Sequence, residues 1–549
     1  MQQESGIQAQ PSILWKILFF SILGGYCLYY APFGLNETDG GFLSGLAWQV
    51  LHGKILYQDL VYVRPPLPVW LRALELQMLP EHFAVLGERW IFYGKLALYS
   101  WLGAAILAKG SRRWALAVFG FVISAHGYPP MAWHTVDGIL FGVLAAYFSV
   151  QGRRVDLVFG GIFLCAALLC KQSFYPLLLI FAVFWWLKRE TSANKAGWFW
   201  GGFGVAGGLF IWYLVQNHLL SGFLQMTSGA ASGGQAVQHG LLDYFRITPE
   251  LAIPGIFLLS PAVWWFRTGQ KHRLALAAWS LWLLALPLSY GAITWLRQDH
   301  TVPFAQSRAM FWIALAIWLA PLLKNRSSIL LSFYHSLREN AHFLLLLGIS
   351  WSASVSWGYN LPILFSTPWV WAGMEVTRKL IETGKPIRFA AYSGFLLLLI
   401  LLLSFRISYE FVYRDGRRSE MTESMGLIFP KLSGIYSDRE TAALYQDLNQ
   451  LVLRYGPNFK TLPAFPQANF LTGTPPPLPL DWVVNRETNG DNTLVYQNLE
   501  KNNPVIFLQK AFRVKIESDP ELEVSRRILE QYKLVEETPH FWVYKNEVL

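Results

Sequence analysis

The chain has 549 residues, of which 53% are hydrophobic and only 15% are charged. Soluble proteins of this size carry more charge, so the composition predicts a polytopic membrane protein. The net charge of +10 comes from basic residues in short loops between apolar segments, which favours anionic lipid over nucleic acid as a partner. The three cysteines, Cys27, Cys165 and Cys170, all lie in apolar segments, so neither a disulfide framework nor a thiolate metal site is expected.

The N-terminal apolar run, residues 13–31, is longer than the core of a signal peptide, and no small-residue cleavage site follows it. We therefore predict that it is an uncleaved first membrane span. Twelve further apolar segments complete a prediction of thirteen spans. They are residues 90–108, 114–125, 135–150, 155–170, 174–187, 197–216, 251–266, 274–295, 309–323, 341–357, 362–374 and 389–405.

The loops between these segments alternate in basic content. Every second loop holds clusters such as Arg112 with Arg113 and Arg153 with Arg154, whereas the other loops after the first hold few basic residues. The positive-inside rule then places the N-terminus in the cytoplasm. An odd number of spans places the C-terminus outside, in keeping with a plasma (inner) membrane protein.

Two domains are predicted: a membrane domain over residues 1–408 and a soluble extracytoplasmic α/β domain over residues 409–549. The polarity of the second part is ordinary, and its length suffices to bury a core of its own. Its predicted helices are residues 439–455 and 525–532, and its predicted strands are residues 504–508 and 541–544. The proline-rich residues 474–480 are predicted to be a rigid surface loop.

The first outer loop, residues 32–89, carries the acidic pair Glu37 and Asp39 beside two glycines. Apolar residues recur at helical spacing from Phe42 onward, which predicts a short helix on the membrane surface. Asp39 then has two interpretations. It is either the N-cap of this helix or a functional carboxylate held where the bilayer meets water.

The other candidate site residues also lie on the predicted outer face. They are Lys54, Asp59, Arg64, His126, His134, Asp137, Lys171, Arg297, Asp299, His300 and Arg308. Ionisable groups at the ends of spans are costly unless they reach water, pair or serve a site. Reaching water is the simplest interpretation of Lys171, and a mutual hydrogen bond is the simplest for His134 and Asp137. No cluster has the spacing of a metal site, and no phosphate-binding glycine loop is present.

Three motifs resemble the GT-C superfamily of integral membrane glycosyltransferases, in particular the protein O-mannosyltransferases and the aminoarabinose transferase of lipid A. They are Glu37–Gly41, Gly53–Asp59 and Arg64–Leu67. The layout is similar as well: the chain has many spans, a long first outer loop and a C-terminal domain on the outer side. The resemblance implies a polytopic α-helical fold with about 13 transmembrane helices and a small soluble α/β domain.

The resemblance also implies a chemistry, in which a sugar leaves a polyprenyl-phosphate donor and joins an acceptor with inversion. Asp39 matches the catalytic acid and, with Glu37 beside it, is expected to act as the general base. Cations must meet the charge of the leaving phosphate, with Arg64 first and Lys54, Lys171 and Arg297 after it. Further residues expected to contact substrate are Tyr57, Asp59, His134 and Asp137.

Several points stay open at the sequence level. Glu37 and Asp39 could hold a divalent cation such as Mg or Mn only if Asp59 or Asp137 added further oxygen ligands. The aminoarabinose enzyme has a lysine before its proline pair where this chain has Arg64, so the acceptor, whether lipid, polysaccharide or protein, is not implied. The alternatives are a transporter or flippase of lipid-linked glycans and a non-catalytic membrane scaffold.

Overall fold

The computed structural model describes residues 10–125, 129–229, 337–339, 341–355, 409–410 and 415–546, together with Tyr334 and Val412. Predictions for His126, for Arg297, Asp299, His300 and Arg308, and for the five spans at 251–266, 274–295, 309–323, 362–374 and 389–405 lie outside these residues.

The membrane domain is built of apolar helices. Their bounds are α1 Gln10–Gly25, α4 Ala84–Leu107, α5 Gly110–Ala125, α6 His134–Gln151, α7 Arg154–Leu168, α8 Leu177–Leu187, α9 Arg189–Gln216, α10 Leu220–Gly229 and α11 Ala341–Val355. The first seven predicted spans and the one at 341–357 coincide with α1, α4 to α9 and α11. Within the described residues three segments are long and apolar enough to cross a membrane: Ile13–Tyr30, Glu81–Leu107 and Asn194–Gln216.

The first outer loop contains two helices, α2 Phe42–Leu51 and α3 Leu67–Met78. Helix α2 confirms the helix predicted from the apolar spacing, but most of its side chains are buried rather than only one face. Helix α3 begins with a proline in its first turn, Pro68, where a missing N–H costs no intrahelical hydrogen bond. Helices α2 and α3 pack against each other.

The C-terminal domain is a small α/β unit. Its helices are α12 Arg439–Tyr455, α13 Ala468–Thr472, α14 Thr493–Asn502, α15 Arg513–Ser518 and α16 Glu523–Gln531, and its strands are β1 Glu423–Ser424, β2 Tyr436–Ser437, β3 Phe459–Leu462, β4 Val505–Gln509, β5 Lys533–Glu537 and β6 Phe541–Lys545. Strands β3 to β6 form one sheet in the order β3-β4-β6-β5, in which only β3 and β4 are parallel. The predicted α/β character is confirmed.

Local signals explain the best predicted elements of this domain. Helix α12 has the predicted bounds, and its N-cap Asp438 accepts a hydrogen bond from the Thr441 N–H at 2.8 Å. Strand β4 reads VIFLQ and is almost entirely buried in the middle of the sheet, as a continuous apolar run indicates. Strand β5 is largely exposed and rich in charge, which is typical of an edge strand.

The C-terminal domain packs directly on the first outer loop. The Tyr436 N–H donates to the Pro32 carbonyl at 2.7 Å, and the Val61 N–H donates to the Pro479 carbonyl at 3.0 Å. The prediction that residues 474–480 form a surface loop is therefore wrong in one respect. The segment is irregular, but Pro477, Leu478, Pro479 and Leu480 are buried, because Leu478 and Leu480 pack in the core of the C-terminal domain together with Val61 of the first outer loop.

Candidate functional site

The acidic motif forms a tight turn organised by Asn36. The Asn36 side-chain oxygen accepts hydrogen bonds from the backbone N–H groups of Thr38 at 3.1 Å and Asp39 at 2.6 Å, which is an Asx-type turn. Asp39 is buried, and Glu37 is half-buried. The turn therefore fixes the backbone on which both carboxylates stand.

Asp39 is not the N-cap of α2. The residue at that position is Gly41, which has a φ of +76°. A Cβ on Gly41 would also overlap the side chain of Gln467 in the C-terminal domain. Both the left-handed backbone and the close approach require glycine. The capping interpretation of Asp39 thus loses its geometric basis.

Phe42 connects the acidic turn to Arg64. Its backbone N–H donates to the Asp39 carbonyl at 3.4 Å, and the guanidinium carbon of Arg64 lies 5.4 Å from the centroid of its ring. Trp482 of the C-terminal domain contacts the same ring edge to face, with centroids 5.4 Å apart. Arg64 and Trp482 thus both contact the side chain of the residue that begins α2 directly after the acidic turn.

Arg64 forms a two-point ion pair with Glu487 of the C-terminal domain. The two terminal nitrogens lie 2.5 and 2.6 Å from the two carboxylate oxygens, the fork geometry that arginine also uses with phosphate. The side chains are 16% and 5% exposed. Burial acts to lower the pKa of Arg64, but the Glu487 carboxylate outweighs it and raises that pKa above its ordinary value.

Lys171 adds a second cation close to this pair. It is half-buried in the turn between α7 and α8, and within the described part of the chain its ammonium has no ion-pair or hydrogen-bond partner. Burial, and then the positive charge of Arg64, lower the pKa of Lys171 to about 7. Reaching water accounts for the partial exposure of Lys171 but not for its lowered pKa.

His134 and Asp137 begin α6 but do not pair with each other. The His134 side chain is fully buried, and neither ring nitrogen has a hydrogen-bond partner among the described residues. Its ring packs against Trp133, with centroids 4.5 Å apart. Asp137 instead pairs with Lys95 of α4 at 2.7 Å. The predicted mutual hydrogen bond is wrong because Lys95 lies within reach of Asp137.

The remaining predicted residues in the first outer loop have structural contacts. The Tyr57 hydroxyl donates to the Arg64 carbonyl at 2.7 Å, and Tyr57 has a φ of +69°. Asp59 accepts from the Ile55 N–H at 2.9 Å within its own turn, and Lys54 is exposed. Tyr57 therefore holds the backbone of Arg64, whereas Asp59 shapes the turn before it.

Buried charges that the sequence analysis did not select hold the loop in place. The Arg89 guanidinium of α4 donates to the carbonyls of Ala31 and Gly34, both at 2.6 Å. Glu88 pairs with Arg72 of α3 at 2.6 Å and accepts from the Ser44 hydroxyl of α2 at 2.7 Å. These contacts fix both ends of the acidic turn to the start of α4.

The described residues do not fit a divalent cation at the acidic motif. No group of three or more His, Cys, Asp or Glu side chains in this part of the chain is placed to hold a metal ion. Asp59 is occupied in its own turn and Asp137 by Lys95, so neither supplies the further ligand that Glu37 and Asp39 need.

The chain was compared with known proteins. No family model matches it, and no curated protein does. Among solved structures, ArnT from Cupriavidus metallidurans bound to undecaprenyl phosphate has 13% identity and a TM-score of 0.42, with 98% of this chain and 99% of that chain covered. The apo oligosaccharyltransferase of Archaeoglobus fulgidus has 11% identity and a TM-score of 0.44, with coverage of 99% and 75%.

The archaeal enzyme AglB in complex with an inhibitory peptide and a dolichol-phosphate also matches, with 11% identity, a TM-score of 0.43, and coverage of 98% and 75%. Because the identities and TM-scores are low, the activity of this chain has to be inferred from its own residues.

Proposed function

We propose that the protein is a membrane glycosyltransferase that moves a sugar from a polyprenyl-phosphate donor to an acceptor on the extracytoplasmic face, with inversion. In this proposal the protein crosses the plasma membrane thirteen times, with its N-terminus in the cytoplasm and its C-terminal domain outside. The acceptor is a lipid, a polysaccharide or a protein.

One observation carries this proposal: the Arg64 guanidinium lies over the ring of Phe42, the residue that begins α2 directly after the acidic turn. A sugar-phosphate donor needs a carboxylate near its anomeric carbon and a cation near its phosphate. Asp39 and Arg64 are 25 residues apart in sequence, and the contact of Arg64 with Phe42, three residues after Asp39, supports a common site.

Asp39 acts as the general base. It accepts the proton of the acceptor hydroxyl while that oxygen attacks the anomeric carbon, and the bond from this carbon to the phosphate oxygen breaks. The leaving phosphate keeps the bonding electron pair. Glu37 is the second acid of the motif, and its carboxylate orients the sugar or the acceptor.

Arg64 and Lys171 stabilise the negative charge that develops on the leaving phosphate. Their neighbouring positive charges make this the most cationic part of the site, and Lys54 and Arg297 are weaker candidates for the same role. His134, with both ring nitrogens unpaired in the described structure, is proposed to contact the sugar. Tyr57 and Asp59 position the loop that carries Arg64, and Asp137 positions α6.

The test is transfer of radiolabelled sugar from a panel of polyprenyl-phosphate sugars, in membranes that contain the native chain or Asp39→Asn at equal levels. We expect label in a product with the native chain and a loss of about 10²- to 10⁴-fold with the variant, which is the usual contribution of a general base. Glu517→Gln is the control because Glu517 is an exposed acid of the C-terminal domain outside the candidate site, and it should retain the transfer.

Two outcomes contradict the proposal. Equal transfer by the native chain and Asp39→Asn would show that the base lies elsewhere. Movement of labelled lipid across the membrane without any transfer would favour a transporter instead.

A further inference from the structure

We propose that Glu487 is an internal competitor of the donor: it occupies the Arg64 guanidinium when no donor is bound, and the donor phosphate displaces it. This inference rests on the proposed function, since it concerns the same cationic site. It assigns to the C-terminal domain a role in donor binding that goes beyond covering the site.

The first support is that the Glu487 carboxylate and a phosphate bind an arginine in the same geometry. Glu487 uses both carboxylate oxygens on both terminal nitrogens of Arg64, and a phosphate presents two oxygens with the same spacing to the same fork. The Glu487 carboxylate and the phosphate therefore compete for the same N–H groups of Arg64. Glu487 is nearly inaccessible to solvent, so a phosphate can take its place on Arg64 only if the carboxylate moves away.

The second support is the charge at the site. Glu487 pairs with Arg64, and Lys171 lies close enough for both charges to influence its pKa, without an ion pair to Glu487 among the described residues. When a phosphate displaces Glu487, one anion replaces another on Arg64. Lys171 is then available to bind the phosphate as well. Without Lys171 the exchange would bring little gain, because the phosphate would merely substitute for the carboxylate.

The third support is the way in which Glu487 is held. It ends a single turn of 3-10 helix, Asn485–Glu487, which belongs to the C-terminal domain through the hydrogen bond from the Asn485 amide to the Pro520 carbonyl at 2.9 Å. On its other side, the Asn489 amide donates to the Met226 carbonyl of α10 at 2.8 Å. Glu487 thus stands on a short loop outside the sheet, residues 485–490, so its displacement shifts this loop and leaves the sheet of the domain intact.

The test is the affinity of the full chain for a polyprenyl phosphate in nanodiscs of zwitterionic lipid. Glu487→Gln keeps the shape of the side chain and removes its charge. We expect it to bind the polyprenyl phosphate about tenfold more tightly than the native chain, since a charged competitor is lost. The control Glu517→Gln removes one charge from an exposed position in the same domain and should leave the affinity unchanged.

The probe has its own controls. Polyprenol without a phosphate should bind equally to the native chain and Glu487→Gln, and inorganic phosphate should compete with the lipid because the phosphate is the recognised group. If the native chain binds polyprenyl phosphate but Glu487→Gln binds it equally or more weakly, the competitor role is overturned while the proposed function stands. If neither binds it, the proposed donor itself is refuted.

A second measurement uses the native chain alone, so it does not depend on the folding of a variant. Displacement predicts faster amide hydrogen exchange in residues 485–490 when polyprenyl phosphate is bound. Unchanged or slower exchange in this loop would mean that Glu487 stays on Arg64, and would overturn the inference.

Discussion

The ammonium of Lys95, in the middle of α4, lies 2.7 Å from the carboxylate of Asp137 at the start of α6. The same ammonium lies 2.7 Å from Glu75 of α3. One cation thus joins three helices, with Asp137 almost completely buried. Because α3 ends the first outer loop and α6 begins beside His134, this contact fixes the base of the candidate site.

Lys95→Met should strongly destabilise the membrane domain. The substitution keeps the apolar length of the side chain but leaves Asp137 and Glu75 without their cation, and breaking a buried pair from one side costs about 3–5 kcal/mol. Thermal unfolding of the purified protein in detergent measures the loss. Lys109→Met, at the exposed position just beyond α4, is the control. Equal unfolding temperatures for the two variants would contradict the prediction.

Part of this site could have been predicted from the sequence. Lys95 stands inside the predicted span at residues 90–108, and a charge within a span signals a buried partner, which is Asp137 here. Glu487 had no such signal. It lies 423 residues from Arg64 in sequence and on an ordinary polar stretch, so only the packing of the C-terminal domain brings the two together.

The fold was predictable where local periodicity is strong. Helix α12 has a clear apolar face and a capping aspartate, and β4 is a continuous apolar run, so both were located correctly. Strand β5 reads KLVEE and was missed, because a charged edge strand has neither alternation nor an apolar run. The burial of residues 477–480 depends on contacts with distant parts of the chain, the core of the C-terminal domain and Val61, which no local pattern records.

Donor binding should weaken as the pH rises through about 7. The pKa of Lys171 is lowered to about 7, so its ammonium is charged below that pH and neutral above it. Loss of this charge removes one charge-assisted hydrogen bond to the phosphate, which corresponds to about tenfold in affinity. The measurement is the affinity for a polyprenyl phosphodiester sugar, whose own charge is constant over this range, from about pH 6 to about pH 9.

Lys171→Arg is the matched variant for this pH profile. Arginine stays protonated throughout, so the variant should bind the donor with little pH dependence. The other titratable or charged groups near Lys171 are Arg64, Glu487 and His134. If the profile of Lys171→Arg fell as steeply as that of the native chain, the titrating group would not be Lys171.

Lys460→Met should destabilise the C-terminal domain. The Lys460 ammonium and the Asp481 carboxylate lie 2.6 Å apart and are almost fully buried, so the substitution leaves a buried charge that costs about 3–5 kcal/mol. Lys510→Met breaks a pair with the exposed Glu537 and should cost less than about 1 kcal/mol. Thermal unfolding followed by tryptophan fluorescence compares the two variants, and similar losses would contradict the prediction.

Gly45→Ala should loosen the contact between α2 and the C-terminal domain. A Cβ at residue 45 would lie 2.6 Å from both the Asp481 carboxylate and the Pro466 carbonyl oxygen, and a backbone carbonyl cannot move aside as a flexible side chain does. Alanine itself favours the helix by about 0.5–1 kcal/mol relative to glycine, so any net loss must come from this contact. We expect a net loss of about 1–3 kcal/mol.

The residues in which Gly45→Ala exchanges faster distinguish the loss of this one contact from a general loss of stability. Amide exchange should accelerate at residues 466–481 and in α2 of Gly45→Ala, while the sheet of the C-terminal domain keeps its protection. Gly94→Ala is the control, since a Cβ on that residue of α4 meets nothing within 4 Å. If every amide of Gly45→Ala exchanged at the rate of the native chain, the close approach of α2 to Pro466 and Asp481 would not hold the domain in place.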